Sequence, residues 1–438
     1  MRSTIAFRKS VFGLALPVTF QSMLQASFSL IDQIMIGQLG SLEVAAIGLA
    51  GKFASILSVM LAAVGSVAGI LLAQAMGSGD QERQGRSYHQ NLLLALALAA
   101  VFMALCLCCP VQIMGLYTTD AITAELAASY LRYLLPGFLP MAMAVLLSTL
   151  LRCMERASLP LYAGIGSALV NTGLNYLLIF GKLGLPAMGV EGAALASAIA
   201  QWGNCLLLWA MLRRCGGMPK WVKPHWDRAF FAVLLPLLMT ELVWTLGENV
   251  YGVIYGRLGT EACAAMTLLN PIQSLVIGAL SGLSQAAGVL VGKELGSVEY
   301  YRAEQTAKAI LRYGLIGSVI LSLLLVIAGK LYLSLFAVEE TVRTMAWQIL
   351  LVYAAVSPVK VQNMILGGVL RSGGKTRNVL VIDLTGTWLF GVPLGLLSAF
   401  VWGLSIPWVY LLLSLEECVR LLMGGIQLRR GSWMQTLR

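Results

Sequence analysis

Long apolar stretches alternate with short polar ones along the whole chain. The apolar segments fall at roughly 11–36, 44–75, 91–112, 127–149, 160–181, 190–212, 229–256, 266–291, 309–329, 346–369, 379–401 and 404–426. Each is long enough, as a helix, to cross about 30 Å of hydrocarbon. Lipid supplies no water to backbone N–H and C=O groups, so segments that cross it must be helical unless they close into a barrel. The ten-residue alternation of a barrel strand is absent. The pattern predicts an all-α integral membrane protein with twelve transmembrane helices.

Sliding the sequence on itself by 219 residues aligns its halves. Pro17 meets Pro236; Gly37, Leu39 and Gly40 meet Gly256, Leu258 and Gly259; Ala45 and Ala46 meet Ala264 and Ala265. Ala68 and Gly69 meet Ala287 and Gly288, Gly77 and Ser78 meet Gly296 and Ser297, and Leu151-Arg152 meets Leu370-Arg371. Six spans per half is an even number, so both halves enter from the same side. The prediction sharpens to two pseudo-symmetric six-helix bundles, 1–215 and 229–438, joined by a cytoplasmic linker at 216–228 that contains Pro219 and Pro224. Parallel repeats about an axis along the membrane normal suit alternating access.

Composition agrees. Charged residues make up 11% of the 438 and hydrophobic ones 58%, whereas a soluble domain carries about 25% charged residues. The net charge of +10 lies between the apolar segments and not on one basic face, which excludes nucleic acid as the expected partner. With the N-terminus inside, inside segments hold 22 Lys and Arg and outside loops 5, so both termini are expected in the cytoplasm. Arg2, Arg8 and Lys9 precede an apolar run as in a signal peptide, but the run reaches Ile36 and contains Gln21, Gln25 and Asp32. It is too long and polar for a cleaved core. The eight cysteines show no zinc or disulfide spacing and read as packing residues.

Charge inside a span costs at least ~2.5–3.5 kcal/mol on insertion scales, so each such residue is a functional candidate. Asp32 lies in the outer part of span one, with Gln25 two turns earlier on the same face; it reads as a proton or sodium site, or else as a capping acid. Glu241, Trp244 and Glu248 share a face of span seven. Carboxylates beside an aromatic ring suit an organic cation; alternatively both acids are structural, satisfied by Lys360 or nearby amides. Asp383 enters span eleven close to the basic loop before it, and Lys360 in span ten reads as the neutraliser of an acid. Together they make a possible charge network. Glu416 and Arg420 are spaced for a local ion pair, and Arg132 for reaching the interface. Asn171 and Asn175 are one turn apart in span five, a spacing that also serves to glue helices. Ser372-Gly-Gly-Lys-Thr376 lacks the first glycine of a phosphate loop, since position 369 is Val369, and lacks the preceding strand. His89 and His225 are placed in cytoplasmic loops. No catalytic triad or metal spacing is found, so neither an enzyme nor a cofactor is expected.

Pro17, Gln21, Asp32, Met35-x-Gly37-x-Leu39-Gly40 and Ala45-Ala46-x-Gly48 appear in that order. Ala73-Gln74-x-x-Gly77 with Asp80, Glu241, Trp244, Gly247, Tyr255-Gly-Arg-Leu-Gly-Thr260 and Leu370-Arg-Ser-Gly-Gly374 follow. These motifs, over nearly the whole chain, resemble the multidrug and toxic compound extrusion family. Glu416-Glu417 and Trp433 resemble one bacterial branch of it. The resemblance implies a V-shaped pair of bundles that exports organic cations and amphipathic drugs against sodium or proton entry. It further implies a cation site of Asp32, Asn171, Asn175 and Ser197, with no cofactor beyond the coupling ion. Asn175 stands where the family often has aspartate. Trp244 stands where some members carry a key acid, and Glu241 lies one turn earlier. The expectation is a monomeric antiporter of the bacterial cytoplasmic membrane. Its partners are lipid and small organic cations, with Gln25, Glu241, Trp244 and Glu248 in the substrate cavity. A flippase for lipid-linked precursors of the same superfamily is the alternative; acids outnumbering bases within the spans disfavour it. A major-facilitator transporter is disfavoured because Gly79-Asp-Gln-Glu-Arg-Gln-Gly85 does not match its basic motif.

Overall fold

The structure, a computed structural model, describes residues 4–118, 120–184, 186–226, 228–334 and 339–436. Arg2 and Arg438, both in the inside charge count, lie outside them. The helices are, in order, α1 (Thr4–Gly37), α2 (Ser41–Gly77), α3 (Gln81–Cys108), a short α4 (Pro110–Gly115), α5 (Ala121–Leu134), α6 (Phe138–Cys153), α7 (Ser158–Phe180), α8 (Gly189–Arg214), α9 (Arg228–Arg257), α10 (Thr260–Gly296), α11 (Tyr300–Ser334), α12 (Glu340–Ser372), α13 (Thr376–Leu384), α14 (Val392–Leu396) and α15 (Ile406–Arg430). Ten helical runs among the described residues are long and apolar enough to cross a membrane. The molecule is therefore an all-α, multi-pass membrane protein.

Local sequence explains the breaks. Asp80 accepts from the Arg83 amide at 3.0 Å and opens α3. Asp120 accepts from the Thr123 amide at 3.1 Å and opens α5; these are N-caps, in which a side chain satisfies an N–H that the first turn leaves unpaired. Leu135-Pro136-Gly137 tightens into a 3-10 turn between α5 and α6. The run Thr376–Val401, apolar enough to cross the bilayer, is widened by π-helical turns at Thr385–Gly391 and Leu397–Val401. α7 stops at Gly181, whose φ of +64° suits a residue without a Cβ.

The helices pack into two units, one of residues 1–19, 73–79 and 227–438, the other of 20–72 and 80–226. Within each, small residues let helices approach closely, as in other membrane bundles. In the second unit, a Cβ on Gly65 would stand 2.8 Å from Val145 Cγ1, and one on Gly69 3.5 Å from Thr149 Cγ2. In the first unit, a Cβ on Gly368 would stand 2.7 Å from the Ser284 carbonyl. Gly65 and Thr149, shifted by 219, are Ser284 and Gly368, so each unit uses repeat-related positions for its own helix contacts.

At the end of α2, Gly77 abuts the Lys293 carbonyl, and Gly296 abuts that of Gln74. Gln74, fully buried, donates to the Ser372 and Gln435 carbonyls at 2.7 and 3.3 Å. The C-terminal segment folds back here: Trp433 is fully buried and Thr436 Oγ1 donates to the Leu295 carbonyl at 2.9 Å.

His89 departs from its expected loop position. It lies within α3, buried, with Nδ1 2.7 Å from the Gly85 carbonyl and its ring edge-on to Trp221. Span three starts earlier than hydropathy suggests, because capping by Asp80 extends the helix through polar residues that pack on the segment around Lys220 and Trp221.

Candidate functional site

α7 and α8 form an antiparallel pair held close by Gly192, where a Cβ would stand 2.8 Å from the Leu178 backbone. α8 also lies on the turn before α6: Trp202 donates to the Pro136 carbonyl at 3.0 Å, and a Cβ on Gly137 would stand 3.0 Å from Ala198 Cα. This packing fixes Asn171, Asn175 and Ser197 in front of α1.

Asp32 meets them there. Asn175 Nδ2 donates to Asp32 Oδ1 at 2.9 Å. Asn171 bridges Asp32 and Ser197. With its nitrogen toward the carboxylate, it donates to Asp32 Oδ2 at 3.0 Å and accepts from Ser197 Oγ at 3.3 Å. The Asn175 side chain is buried, and among the described residues its Oδ1 has no hydrogen-bond partner. A buried acceptor without a protein partner is rare and is commonly met by a water, an ion or another ligand. Asp32 lies five residues before the C-terminal end of α1, where a carboxylate opposes the helix dipole; it is not a capping acid. Sequence alone does not point to Tyr130 on α5, which is buried and hydrogen-bonded to Ser197, in electrostatic contact with Asp32. A lone tyrosine in an apolar run gives no signal of its own.

The donors here are a carboxylate, two amides and two hydroxyls. Oxygen-only sets suit hard cations, and a single carboxylate suits a monovalent ion or a proton. Gln25, two turns before Asp32, is exposed and lines a small cleft with Gln21, Phe28, Leu161 and Ile165. Gln21 is held from behind by Arg152, whose Nη2 donates to its Oε1 at 3.0 Å.

The remaining candidates lie in the other unit. Glu241 is half-buried, electrostatically faced by Arg371 and Asp383. Trp244 is 51% exposed, and Glu248 is also exposed. A buried network on α12, α13 and α15 reaches α9 through Tyr251. Lys360 Nζ lies 3.9 Å from Glu417 Oε1, and Arg420 lies 3.9 Å from both Asp383 Oδ1 and Glu417 Oε2 and 3.8 Å from Glu416 Oε1. Tyr251 Oη donates to Glu416 Oε2 at 2.5 Å, Asn363 Nδ2 to Glu417 Oε2 at 2.8 Å, and Arg420 to Thr387 Oγ1. Glu416 and Arg420 are thus more than a local pair, and Lys360 lies within ion-pair distance of Glu417. Among the described residues no cluster of three or more His, Cys, Asp or Glu could hold a metal ion, and Cys106, Cys108, Cys109, Cys153, Cys205, Cys215 and Cys418 are unbridged.

Long membrane helices thus surround a carboxylate whose amide neighbour has, among the described residues, an unpartnered oxygen. The MatE family model matches residues 17–177 and again 236–397, two matches that begin 219 residues apart. The chain belongs to this family, and membership makes it a secondary active transporter of the multidrug-efflux type and not an enzyme. It is 26% identical over 415 residues to the probable multidrug resistance protein NorM of Pasteurella multocida, covering 88% of this chain and 85% of that one. It is 25% identical to the multidrug resistance protein MdtK of Yersinia pseudotuberculosis, covering 91% and 89%. The fold matches a crystal structure of the Vibrio cholerae MATE transporter VcmN in its bent form, with a TM-score of 0.88 at 19% identity, over 99% of this chain and 100% of that one.

Proposed function

We propose that the chain exports organic cations and amphipathic drugs in exchange for sodium or proton entry, and that Asp32 with Asn171, Asn175 and Ser197 binds the coupling cation. The observation that carries this reading is the unpartnered Asn175 Oδ1 beside the Asp32 carboxylate. With the site empty, amide N–H groups stabilise the carboxylate. When a cation arrives, the amides present oxygen to it instead. Tyr130 and Ser197 supply hydroxyl oxygens. Such a ligand shifts the conformational equilibrium only by its differential affinity for the two states; Pro17, inside α1, removes one backbone hydrogen bond and gives that helix a place to bend.

Glu241, Trp244 and Glu248, one face of α9, are proposed to receive the organic cation through charge and the indole face. Gln25 on α1 is proposed as a further polar contact for substrate. Lys360 and Asp383 belong to the charge network of the α9 unit. The names of the NorM and MdtK relatives, both multidrug resistance proteins, support drug export. The proposed architecture is twelve spans in two halves, 1–215 and 229–438, joined by 216–228. In it the chain is a monomer in the bacterial cytoplasmic membrane, with both termini inside. α1 and α15 supply the two spans beyond the ten; Glu416, Glu417 and Arg420 depress the hydropathy of α15.

The test is ethidium efflux from cells under imposed sodium or pH gradients, wild type against Asp32→Asn. Gradient-driven efflux in the wild type that disappears in the variant is expected. Unchanged efflux in the variant removes Asp32 from coupling, and no gradient-driven efflux of any cationic dye by the wild type removes the exporter reading.

A further inference from the structure

The repeat relation, carried onto the ion site, gives an unexpected counterpart. Shifted by 219, Asp32 becomes Tyr251 and Ser197 becomes Glu416. The second half keeps an acid–hydroxyl pair at this place with the carriers exchanged: the hydroxyl is on span seven, the acid on span twelve, and Tyr251 donates directly to Glu416. The amides are gone. Asn171 shifted by 219 falls at position 390, and a π turn adds one residue, which brings the counterpart to Gly391. The geometry agrees, because a Cβ on Gly391 would collide with both Glu416 Oε2 and Tyr251 Oη. The same shift puts Gly395 in place of Asn175.

A cation is present instead as a side chain. Arg420 is 11% exposed, with Nη2 3.8 Å from Glu416 Oε1. Its stem packs on Gly386, where a Cβ would stand 2.5 Å from Arg420 Cγ. Lys360 and Arg420 face Asp383, Glu416 and Glu417 directly, while Glu248 and Arg371 act on the cluster from a distance. The first-half counterparts of Lys360, Asp383, Glu417 and Arg420 are Met141, Gly164, Ala198 and Gln201, so only the second half has this fixed charge.

We infer that Arg420 takes, beside Glu416 and Tyr251, the place that the coupling cation takes beside Asp32, so that the second-half site is closed to exchangeable cations and the chain couples through one cation site. The inference rests on the reading of Asp32 as the coupling carboxylate. It makes Arg420 a positioning residue that sets coupling stoichiometry.

The test is cation binding to the purified full-length protein in lipid nanodiscs, followed by tracer sodium binding and by proton exchange with a pH indicator. One equivalent is expected in the wild type, retained in Glu416→Gln and lost in Asp32→Asn. Adding Arg420→Gln to Asp32→Asn should restore one equivalent, which Glu416→Gln then removes; Arg420→Lys should restore none. An equivalent that survives Asp32→Asn and disappears with Glu416→Gln overturns the inference. So does a monodisperse Arg420→Gln, Asp32→Asn protein that gains nothing. If the double variant does not fold, loss of an equivalent in Glu416→Gln alone overturns it and retention supports it. A wild type whose binding is indifferent to Asp32→Asn sinks the coupling role of Asp32, an outcome separate from the gain read on Arg420→Gln.

Discussion

Asn175 on α7 donates to Asp32 on α1 across 143 residues of chain, at 2.9 Å, while its own carbonyl oxygen is left buried and unpaired. In the proposed cation site this amide gives its donor to the carboxylate and keeps its acceptor for the ion. Replacing Asn175 by Ala removes both the donor and the ligand oxygen. The expected result is a rise of about tenfold or more in the sodium or proton concentration that half-saturates drug efflux, equivalent to roughly 1.4 kcal/mol of lost binding. Equal half-saturation in vesicles from wild type and variant would show that the amide is not a ligand.

Asn175→Asp is the complementary change. It adds a second carboxylate 143 residues away in sequence but adjacent in space to Asp32, so attraction for a cation rises. Sodium should bind about tenfold or more tightly, on the scale of roughly 1.5–3 kcal/mol for one added charged contact. Tracer sodium displacement on the purified protein measures this. Weaker sodium binding would mean that the amide donor, and not its oxygen, is what the site requires.

Most of the fold is legible in sequence because the bilayer enforces it: a run of apolar residues as long as the hydrocarbon is thick has one backbone solution, apart from barrels. The repeat is legible because glycines at helix contacts, such as Gly77 and Gly296, leave little room for other residues. Asp32 is legible as a charge in apolar surroundings, Asn171 and Asn175 as an amide pair one turn apart, and Ser197 only through the family motif. Tyr130 is not, since its ring is at home among apolar neighbours and only its hydroxyl reaches the site. Of the Arg420 network, sequence shows the local pair with Glu416, because spacing along one helix is visible there, and marks Lys360 and Asp383 as charges in spans; that Asp383 and Tyr251 meet Arg420 and Glu416 from other helices is not visible in it. Hydropathy puts His89 in a loop because its polar neighbours hide a helix that Asp80 caps.

Acidic conditions give a prediction outside the membrane. Asp120 is fully exposed, and hydrogen bonds from the Thr123 side chain and amide hold its carboxyl below the usual carboxylate range. A lowered folded value means that this stabilisation is complete above the unfolded value of about 3.9 and lost as pH falls through the folded one. Asp120→Ala should therefore lower Tm at neutral pH, and the gap to wild type should close as pH drops below about 4. A gap that is constant from neutral to acid would assign the capping to something other than the ionised carboxylate.

Glu241 and Trp244 separate charge from ring. If both contact an organic cation, Glu241→Gln and Trp244→Ala should each raise KM for ethidium efflux. The indole contributes ~0.5–2 kcal/mol by cation–π attraction, about twofold to thirtyfold. A neutral amphipathic substrate should respond to Trp244→Ala and not to Glu241→Gln. Identical responses of charged and neutral substrates to Glu241→Gln would mean that this carboxylate stabilises the fold through Arg371 instead of receiving substrate.

The end of α2 offers the sharpest steric test. Gly77 lies against the Lys293 carbonyl and Gly296 against that of Gln74, and the two contacts are images of each other under the 219-residue shift. A Cβ at either glycine meets backbone, which cannot rotate away as a side chain can. Gly77→Ala must therefore part the ends of α2 and α10, and with them the Gln74 hydrogen bonds to Ser372 and Gln435. Overpacking of this kind costs about 1–3 kcal/mol, which should appear as a lowered Tm of the purified protein. Trp433→Ala, which empties a fully buried site beside Gly373, should cost ~3–5 kcal/mol. Because both substitutions loosen one joint, they share a partner and their effects should fall short of additive. Full additivity in the double variant would show that the C-terminal segment and the end of α2 are held independently.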